Sequence, residues 1–144
     1  MIRAICTPDF SINQKMDINR IRNNIYKNRW LGCTWQDNGC IALPTMSWTT
    51  QETYDLCFSG IEQGGIVVIS TLGVKENLPI FIAGLEEMKR RIHPEIIIVY
   101  GDMKEGMTGK FINFKYEEAF NKNKYYKQQR LFNVSPVFEI KEVA

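Results

Sequence analysis

Two short runs of consecutive apolar residues constrain the fold of this chain more than any other feature. Residues 66–69 and 96–100 are apolar at successive positions, with no alternation between apolar and polar side chains. A strand of this kind is typical of a parallel sheet that is covered on both faces by helices. Neither run approaches the roughly 20 residues that a transmembrane helix requires. The pattern therefore predicts buried strands and no membrane partner.

Amphipathic segments alternate with these strands along the chain. Helices are predicted over residues 17–30, from residue 49 to about residue 58, over residues 79–91 and over residues 117–130. Strands are predicted over residues 2–6, 40–43, 66–69, 96–100, 111–114 and 134–140. Pro136 within the last segment favours a position at the edge of the sheet.

This order of elements predicts an α/β fold in which right-handed crossovers join parallel strands. The expected architecture is a single three-layer, Rossmann-like sandwich. Its mostly parallel central sheet has about four to six strands, with an antiparallel edge strand at the C-terminus. The 144 residues contain no internal repeat, low-complexity tract or linker. Residues 1–144 are therefore predicted to form one domain.

The composition excludes several classes of protein. Hydrophobic residues make up 44% of the chain and charged residues 24%, which are globular values that exclude wholesale disorder. The four cysteines show no C-x-x-C spacing, so no metal site is predicted. The N-terminus lacks the features of a secretory signal, and we expect reduced cysteines and a cytoplasmic location.

Basic residues are concentrated in two segments, although the net charge is only +2. Residues 15–29 contain five basic side chains and residues 110–130 contain six. Such segments either contact a polyanion or form solvated helix faces. The candidate polyanion-binding residues are Lys122, Lys124, Lys127 and Arg130.

Small polar residues follow several of the predicted strands. In an open α/β sheet, ligands bind beyond the carboxyl ends of the strands, where the strand order reverses. Hydroxyl groups and loop amides suit an anionic ligand such as the phosphate of a nucleotide, but they also cap helices. Trp48 has two interpretations, base stacking or core packing. The candidate ligand-binding residues are Thr7, Asp9, Ser11, Ser47, Trp48, Ser70, Thr71, Gly73 and Tyr100.

Two aspartates are the candidate catalytic residues. Asp9 and Asp102 each follow a predicted strand, and they could share Mg²⁺ only if those two strands are neighbours. The alternative is that both are turn or capping residues. No phosphate loop, nucleophile elbow or zinc-binding helix motif is present. The sequence therefore contains no complete catalytic constellation. The cofactor is left open, and Mg²⁺ is expected only if the two aspartates form an enzyme site.

Six short segments follow one another along the chain: PDFS (8–11), RWLG (29–32), LPTMSW (43–48), YDLCFSGI (54–61), VISTLG (68–73) and IIVYG (97–101). Over about residues 4–101, this series resembles an uncharacterised bacterial domain family of prophages and conjugative elements. The family pattern is PDFS, VSW, CFDGI, STHG and VYG, in this order. Leu72 stands where the family often has histidine, and Ser59 where it often has aspartate. The resemblance implies a phage or mobile-element protein and supplies no reaction.

Two hypotheses follow from these observations. The first is a small, non-enzymatic binding protein that engages a nucleotide, a nucleic acid or a host protein through the carboxyl-end rim of the sheet. Such a protein would regulate its host or act against the host's defences. The alternative is a metal-dependent phosphoryl-transfer or nuclease enzyme that uses Asp9 and Asp102.

Overall fold

A computed structural model describes the backbone of residues 4–115 and 140–143. Its helices are α1 (Ile18–Asp37), α2 (Tyr54–Cys57) and α3 (Leu78–Ile92), with short 3₁₀ turns at Gln51–Thr53 and Val74–Asn77. Its strands are β1 (Ala4–Cys6), β2 (Ile41–Leu43), β3 (Thr45–Met46), β4 (Ile66–Ser70), β5 (Ile96–Tyr100), β6 (Gly109–Phe114) and β7 (Ile140–Val143). The predicted helix over residues 117–130 lies outside the described residues.

The first helix is longer than the sequence predicted. Asp17 caps α1, because its carboxylate accepts hydrogen bonds from the backbone N–H groups of Asn19 and Arg20. The helix continues past Trp30 to Asp37 and ends before Gly39, which has a φ of 79°. The buried face consists of Ile21, Ile25, Asn28 and Gly32.

The sequence predicts an apolar stripe on this helix formed by Met16, Ile18, Ile21, Ile25 and Trp30, and the structure shows that the stripe is wrong at two of these positions. Ile18 is 45% exposed and Trp30 is 55% exposed. Trp30 is nine residues from the buried Ile21, and at 100° per residue this places it about 180° around the helix axis. Trp30 therefore lies on the side of α1 that faces solvent.

Pro44 divides what would otherwise be one strand into β2 and β3. β2 pairs in parallel with β1, whereas β3 pairs in parallel with β4. The Pro44 carbonyl still accepts a hydrogen bond from the N–H of Val68, but proline has no N–H to donate. The described sheet therefore divides at Pro44 into a two-stranded part and a five-stranded part.

The strands of the larger part lie in chain order, β3-β4-β5-β6-β7. The pairs from β3 to β6 are parallel and β7 is antiparallel to β6. The α/β class and the mostly parallel sheet are thus confirmed, and an antiparallel strand does form the C-terminal edge. The sequence predicts that strand over residues 134–140, whereas β7 spans Ile140–Val143 and residues 134–139 lie outside the described residues. The strand order has no reversal among the described strands, so the feature expected to mark a ligand site is not found there.

The hydrophobic core lies between the helices and one face of the sheet. Its buried residues come from α1, α2 and α3 and from alternate positions of the strands, among them Val67, Ile69, Ile97, Val99 and Phe111. Helices gather on one face because crossovers of one hand between strands in sequential order all lie on the same side. This arrangement is consistent with the predicted three-layer sandwich, of which the described residues supply the sheet and one helical layer.

Among the described residues, no helix is long and apolar enough to cross a membrane.

Candidate functional site

Hydroxyl side chains line up at the carboxyl edge of the parallel strands, as the sequence suggested. Ser70 at the end of β4 is paired with Tyr100 at the end of β5. Ser47 directly follows Met46, which is the partner of Ile69. All three hydroxyl residues are half-buried. The structure thus places Ser47, Ser70 and Tyr100 at the ends of three adjacent strands.

Other residues at this rim have structural partners. The N–H of Thr71 donates to the Tyr100 carbonyl oxygen at 3.0 Å, and its side chain is buried. A Cβ at Gly101 would come within 2.4 Å of Thr71 Oγ1, which explains why glycine follows β5. Gly73 has a φ of 74° and precedes the 3₁₀ turn before α3. The Ser11 carbonyl oxygen accepts a hydrogen bond from Asn24 at 3.0 Å.

The side chain of Trp48 packs against α3. Its Nε1–H donates to the Phe81 carbonyl oxygen at 3.2 Å, and its ring stacks on Phe81 with centroids 5.3 Å apart. A Cβ at Gly84 would lie 2.1 Å from the indole. These contacts favour the core interpretation of Trp48 over base stacking.

Asp9 and Asp102 do not meet the condition for a shared metal. Asp9 follows β1 and Asp102 follows β5, and the β2–β3 strand and β4 lie between them. At about 4.8 Å per strand, the two strands are about 14 Å apart. Within residues 4–115 and 140–143, no group of three or more histidine, cysteine, aspartate or glutamate residues could hold a metal ion.

Asp9 has an unusual electrostatic environment even so. The Asp9 carboxylate makes no hydrogen bond in the part of the chain that the structure describes. Partial burial of the carboxylate raises the pKa of Asp9 above its ordinary value. Asp9 is therefore an unpaired acidic group at the edge of the sheet.

Asn28 lies at the centre of a buried polar network that no sequence pattern indicated. The Asn28 amide nitrogen donates to Thr7 Oγ1 at 2.8 Å, to the Pro8 carbonyl at 2.9 Å and to the Thr45 carbonyl at 3.2 Å. Thr7 Oγ1 also accepts from the N–H of Thr45 at 2.8 Å. Thr7 thus joins β1 to β3 and α1, which leaves its hydroxyl engaged within the fold.

Arg29 extends this network to α2. It donates to Asn28 Oδ1 at 2.6 Å, to the Cys57 carbonyl at 2.8 Å and to the Ser59 carbonyl at 3.2 Å. All three acceptors are neutral oxygens. Burial lowers the pKa of the Arg29 guanidinium, as expected for a cation withdrawn from water. No sequence motif signals this contact, because it joins residues 28 positions apart.

The solvent-facing side of α1 carries an exposed aromatic pair. Tyr26 is 63% exposed and Trp30 is 55% exposed, and Arg22 is exposed one turn before Tyr26. Spacings of four residues place these three side chains in one row, about 6 Å apart along the axis. We call Arg22, Tyr26 and Trp30 the aromatic row. The predicted polyanion-binding residues, Lys122, Lys124, Lys127 and Arg130, lie outside the described residues.

Comparisons with known proteins give the chain a family context. A family model described as a domain of unknown function, DUF4417, matches residues 1–117. The chain is 39% identical over 106 residues to the Gene 1 protein of Mycobacterium phage D29 and 37% identical over 106 residues to that of Mycobacterium phage L5. Each match covers 72% of the chain but only 39% and 46% of the relatives, so the chain spans less than half their length. No solved structure matches the chain.

Proposed function

The chain belongs to the DUF4417 family of domains of unknown function, and from that premise we propose that it is a phage-type binding protein that engages single-stranded nucleic acid through the aromatic row of α1. The phage relatives support a phage origin. They leave the ligand open, so the proposal rests on the chemistry of α1.

The single observation that carries the proposal is the exposure of Tyr26 and Trp30 on a well-anchored helix. The opposite side of α1 is held by the core and by the Asn28 network. Exposed aromatic rings on a rigid element provide stacking surfaces for bases, worth about 1–3 kcal/mol per base. Both rings are therefore positioned to receive the bases of a single strand.

Positive charge near these rings suits the phosphate backbone. Lys15, Arg20, Arg22 and Lys27 are exposed in or beside the first half of α1. Lys27 also lies over the Phe10 ring, with its ammonium 5.9 Å from the ring centroid. Exposed cations beside stacking rings are typical of sites that bind single strands without strong sequence preference.

The segment that follows β1, at the carboxyl edge of the parallel strands, leads into the start of α1. Asn24 of α1 contacts the Ser11 carbonyl, so the N-terminal part of the helix lies beside the loop that follows β1. In this proposal, a strand lying along α1 brings phosphates towards the rim at Ser11, Ser47 and Ser70, whose hydroxyls donate hydrogen bonds to phosphate oxygens. A counter-defence role would then operate by masking or sequestering nucleic acid.

The test is fluorescence anisotropy with a labelled 20-nucleotide single strand at low salt. Trp30→Ala and Tyr26→Ala should each weaken binding about tenfold or more, because each removes a stacking surface. Tyr26→Phe keeps the ring and should bind like the unmodified protein. Ile41→Ala is a matched control, because Ile41 is 60% exposed outside α1.

A protein partner is the competing interpretation of the same surface. Tryptophan, tyrosine and arginine are the residues most enriched at interface hot spots. Absence of any binding to DNA or RNA single strands at low salt would reject the nucleic-acid proposal and favour a host protein. Equal binding by the Trp30→Ala and Ile41→Ala variants would also reject it.

A further inference from the structure

A cavity of about 600 Å³ lies between the C-terminal half of α1 and the amino-terminal ends of β2 and β4. It exists because Pro44 divides the sheet. Ile66 and Val67 precede Val68, where pairing between β3 and β4 begins, so β2 and the start of β4 are free to diverge. The volume is within the range of about 300–1,000 Å³ that small-molecule sites occupy.

The walls of this cavity are mainly apolar. Leu43, Ile61 and Val67 are among its apolar lining residues, and Gly60 and Gly65 contribute no side chain to the wall. Thr7 and Asn28 also line the cavity, but both belong to the polar network described above. Such a lining suits a ligand with an apolar body.

Arg29 is the cationic residue of the cavity wall. Its hydrogen bonds to Asn28, Cys57 and Ser59 occupy three of the five guanidinium N–H groups. Arg29 takes part in no ion pair within the described ranges. Glu62 also lines the cavity, but it is exposed and is not paired with Arg29. The guanidinium therefore lacks a counter-ion.

We propose that this cavity binds a small organic carboxylate, with the apolar body against Ala42, Ile61 and Val67 and the carboxylate paired with Arg29. A guanidinium matches a planar carboxylate with paired N–H···O bonds. The ligand would supply the negative charge that the surrounding carbonyl oxygens do not provide. This site is separate from the aromatic row and is independent of nucleic-acid binding.

The cysteines offer a direct readout. Cys33 and Cys40 line the cavity, whereas Cys6 is exposed outside it. Alkylation by iodoacetamide, followed at each cysteine by mass spectrometry, should slow at Cys33 and Cys40 when 4-phenylbutyrate is present. The rate at Cys6 should not change. The neutral analogue 4-phenylbutanol should need at least about a tenfold higher concentration, because it lacks the charge-assisted hydrogen bonds.

Three variants separate the effect of ligand binding from an effect on the stability of the fold. Ala42→Leu should fill the cavity and abolish protection with Arg29 intact, since Ala42 lines the wall. The same change at Ala83, which is exposed on α3, should leave protection unchanged. Arg29→Lys should reduce the preference for the acid over the alcohol.

Two results would overturn the proposal. Equal protection by the acid and the alcohol would mean an apolar cavity with no role for Arg29. Absence of protection by millimolar 4-phenylbutyrate in the unmodified protein would reject the site altogether. If Arg29→Lys fails to fold, the comparison of Ala42→Leu with Ala83→Leu still decides the outcome.

Discussion

The Arg29 guanidinium donates a hydrogen bond to the Cys57 carbonyl oxygen at 2.8 Å. Cys57 is the last residue of α2, where backbone carbonyls have no partner within the helix. A cation at this position also interacts favourably with the C-terminal end of a helix. The contact therefore fastens the short α2 to the middle of α1.

Removing the charge at Arg29 should loosen α2. Arg29→Gln leaves the carbonyls of Cys57 and Ser59 without their donor, and we expect the free energy of unfolding to fall by about 2–3 kcal/mol. Urea denaturation monitored by circular dichroism measures the change. Arg22→Gln, an exposed position on the same helix, should stay within about 0.5 kcal/mol. Equal losses at both positions would show that the carbonyl contacts contribute nothing.

Gly84 provides the room that Trp48 occupies. Gly84→Ala should destabilise the protein by about 1–3 kcal/mol despite the better helix propensity of alanine, because the new Cβ would lie 2.1 Å from the indole. Gly32→Ala is the comparison, since its Cβ would lie 3.2 Å from Thr7 Cγ2 and should cost less. Thermal unfolding compares the two variants. A smaller loss at Gly84 than at Gly32 would contradict the packing described here.

Adjacent isoleucines of β5 should respond differently to truncation. Ile97 is 3% exposed and belongs to the core, whereas Ile98 is half-buried. Ile97→Ala should cost about 3–4 kcal/mol, within the range for deleting a buried side chain, and Ile98→Ala should cost less. The same chemical change in both variants removes differences in side-chain size. If Ile98→Ala destabilised the protein more than Ile97→Ala, the hydrophobic core would lie on the face of the sheet opposite to the one described here.

The ionised carboxylate of Asp9 should lower the free energy of unfolding at neutral pH. Its pKa in the folded protein is raised above the ordinary value of 3.8, so ionisation is more favourable in the unfolded chain. Stability therefore falls as pH rises from the unfolded pKa through the folded one. Asp9→Asn should raise the melting temperature at pH 7 and give a smaller gain at pH 3. A gain that is the same at both pH values would show that ionisation of Asp9 has no effect on stability.

Replacing three lysines tests whether the second basic segment contacts nucleic acid. If Lys122, Lys124 and Lys127 neutralise phosphates, changing all three to glutamine should reduce the slope of log affinity against log salt. The expected reduction is roughly 2–3 units, at about 0.7–0.9 per lost contact. Anisotropy titrations at several salt concentrations measure it. An unchanged slope would assign these lysines to a solvated surface.

The sequence predicted the strands better than the helix faces. Continuous apolar runs identified β4 and β5 because both faces of these strands carry apolar side chains. The stripe on α1 was misassigned because Ile18 and Trp30 are apolar yet exposed, and hydrophobicity alone does not distinguish a core residue from a surface aromatic. The sheet divides at Pro44 because β2 pairs with β1 whereas β3 pairs with β4. The local sequence does not show which strands will pair.

The arrangement of the candidate site was also hard to predict, because it depends on which distant segments of the chain pair with one another. Ser70 and Tyr100 could be placed at one edge because parallel strands end on the same side. The distance between Asp9 and Asp102 depended on strand order, which periodicity does not reveal. The contacts of Asn28 and Arg29 join segments that each look unremarkable in sequence. These contacts form only when α1 packs against β1 and α2, so the local sequence does not predict them.

Photocrosslinking tests the role of the aromatic row most directly. A single-stranded oligonucleotide containing 5-iodouracil, irradiated with the unmodified protein and digested, should give crosslinked peptides that map to Tyr26 or Trp30. These crosslinks should disappear with excess unlabelled strand. Crosslinks that map only to residues outside α1, or no crosslinks under conditions where the strand is bound, would contradict the assignment of α1 as the nucleic-acid-binding surface.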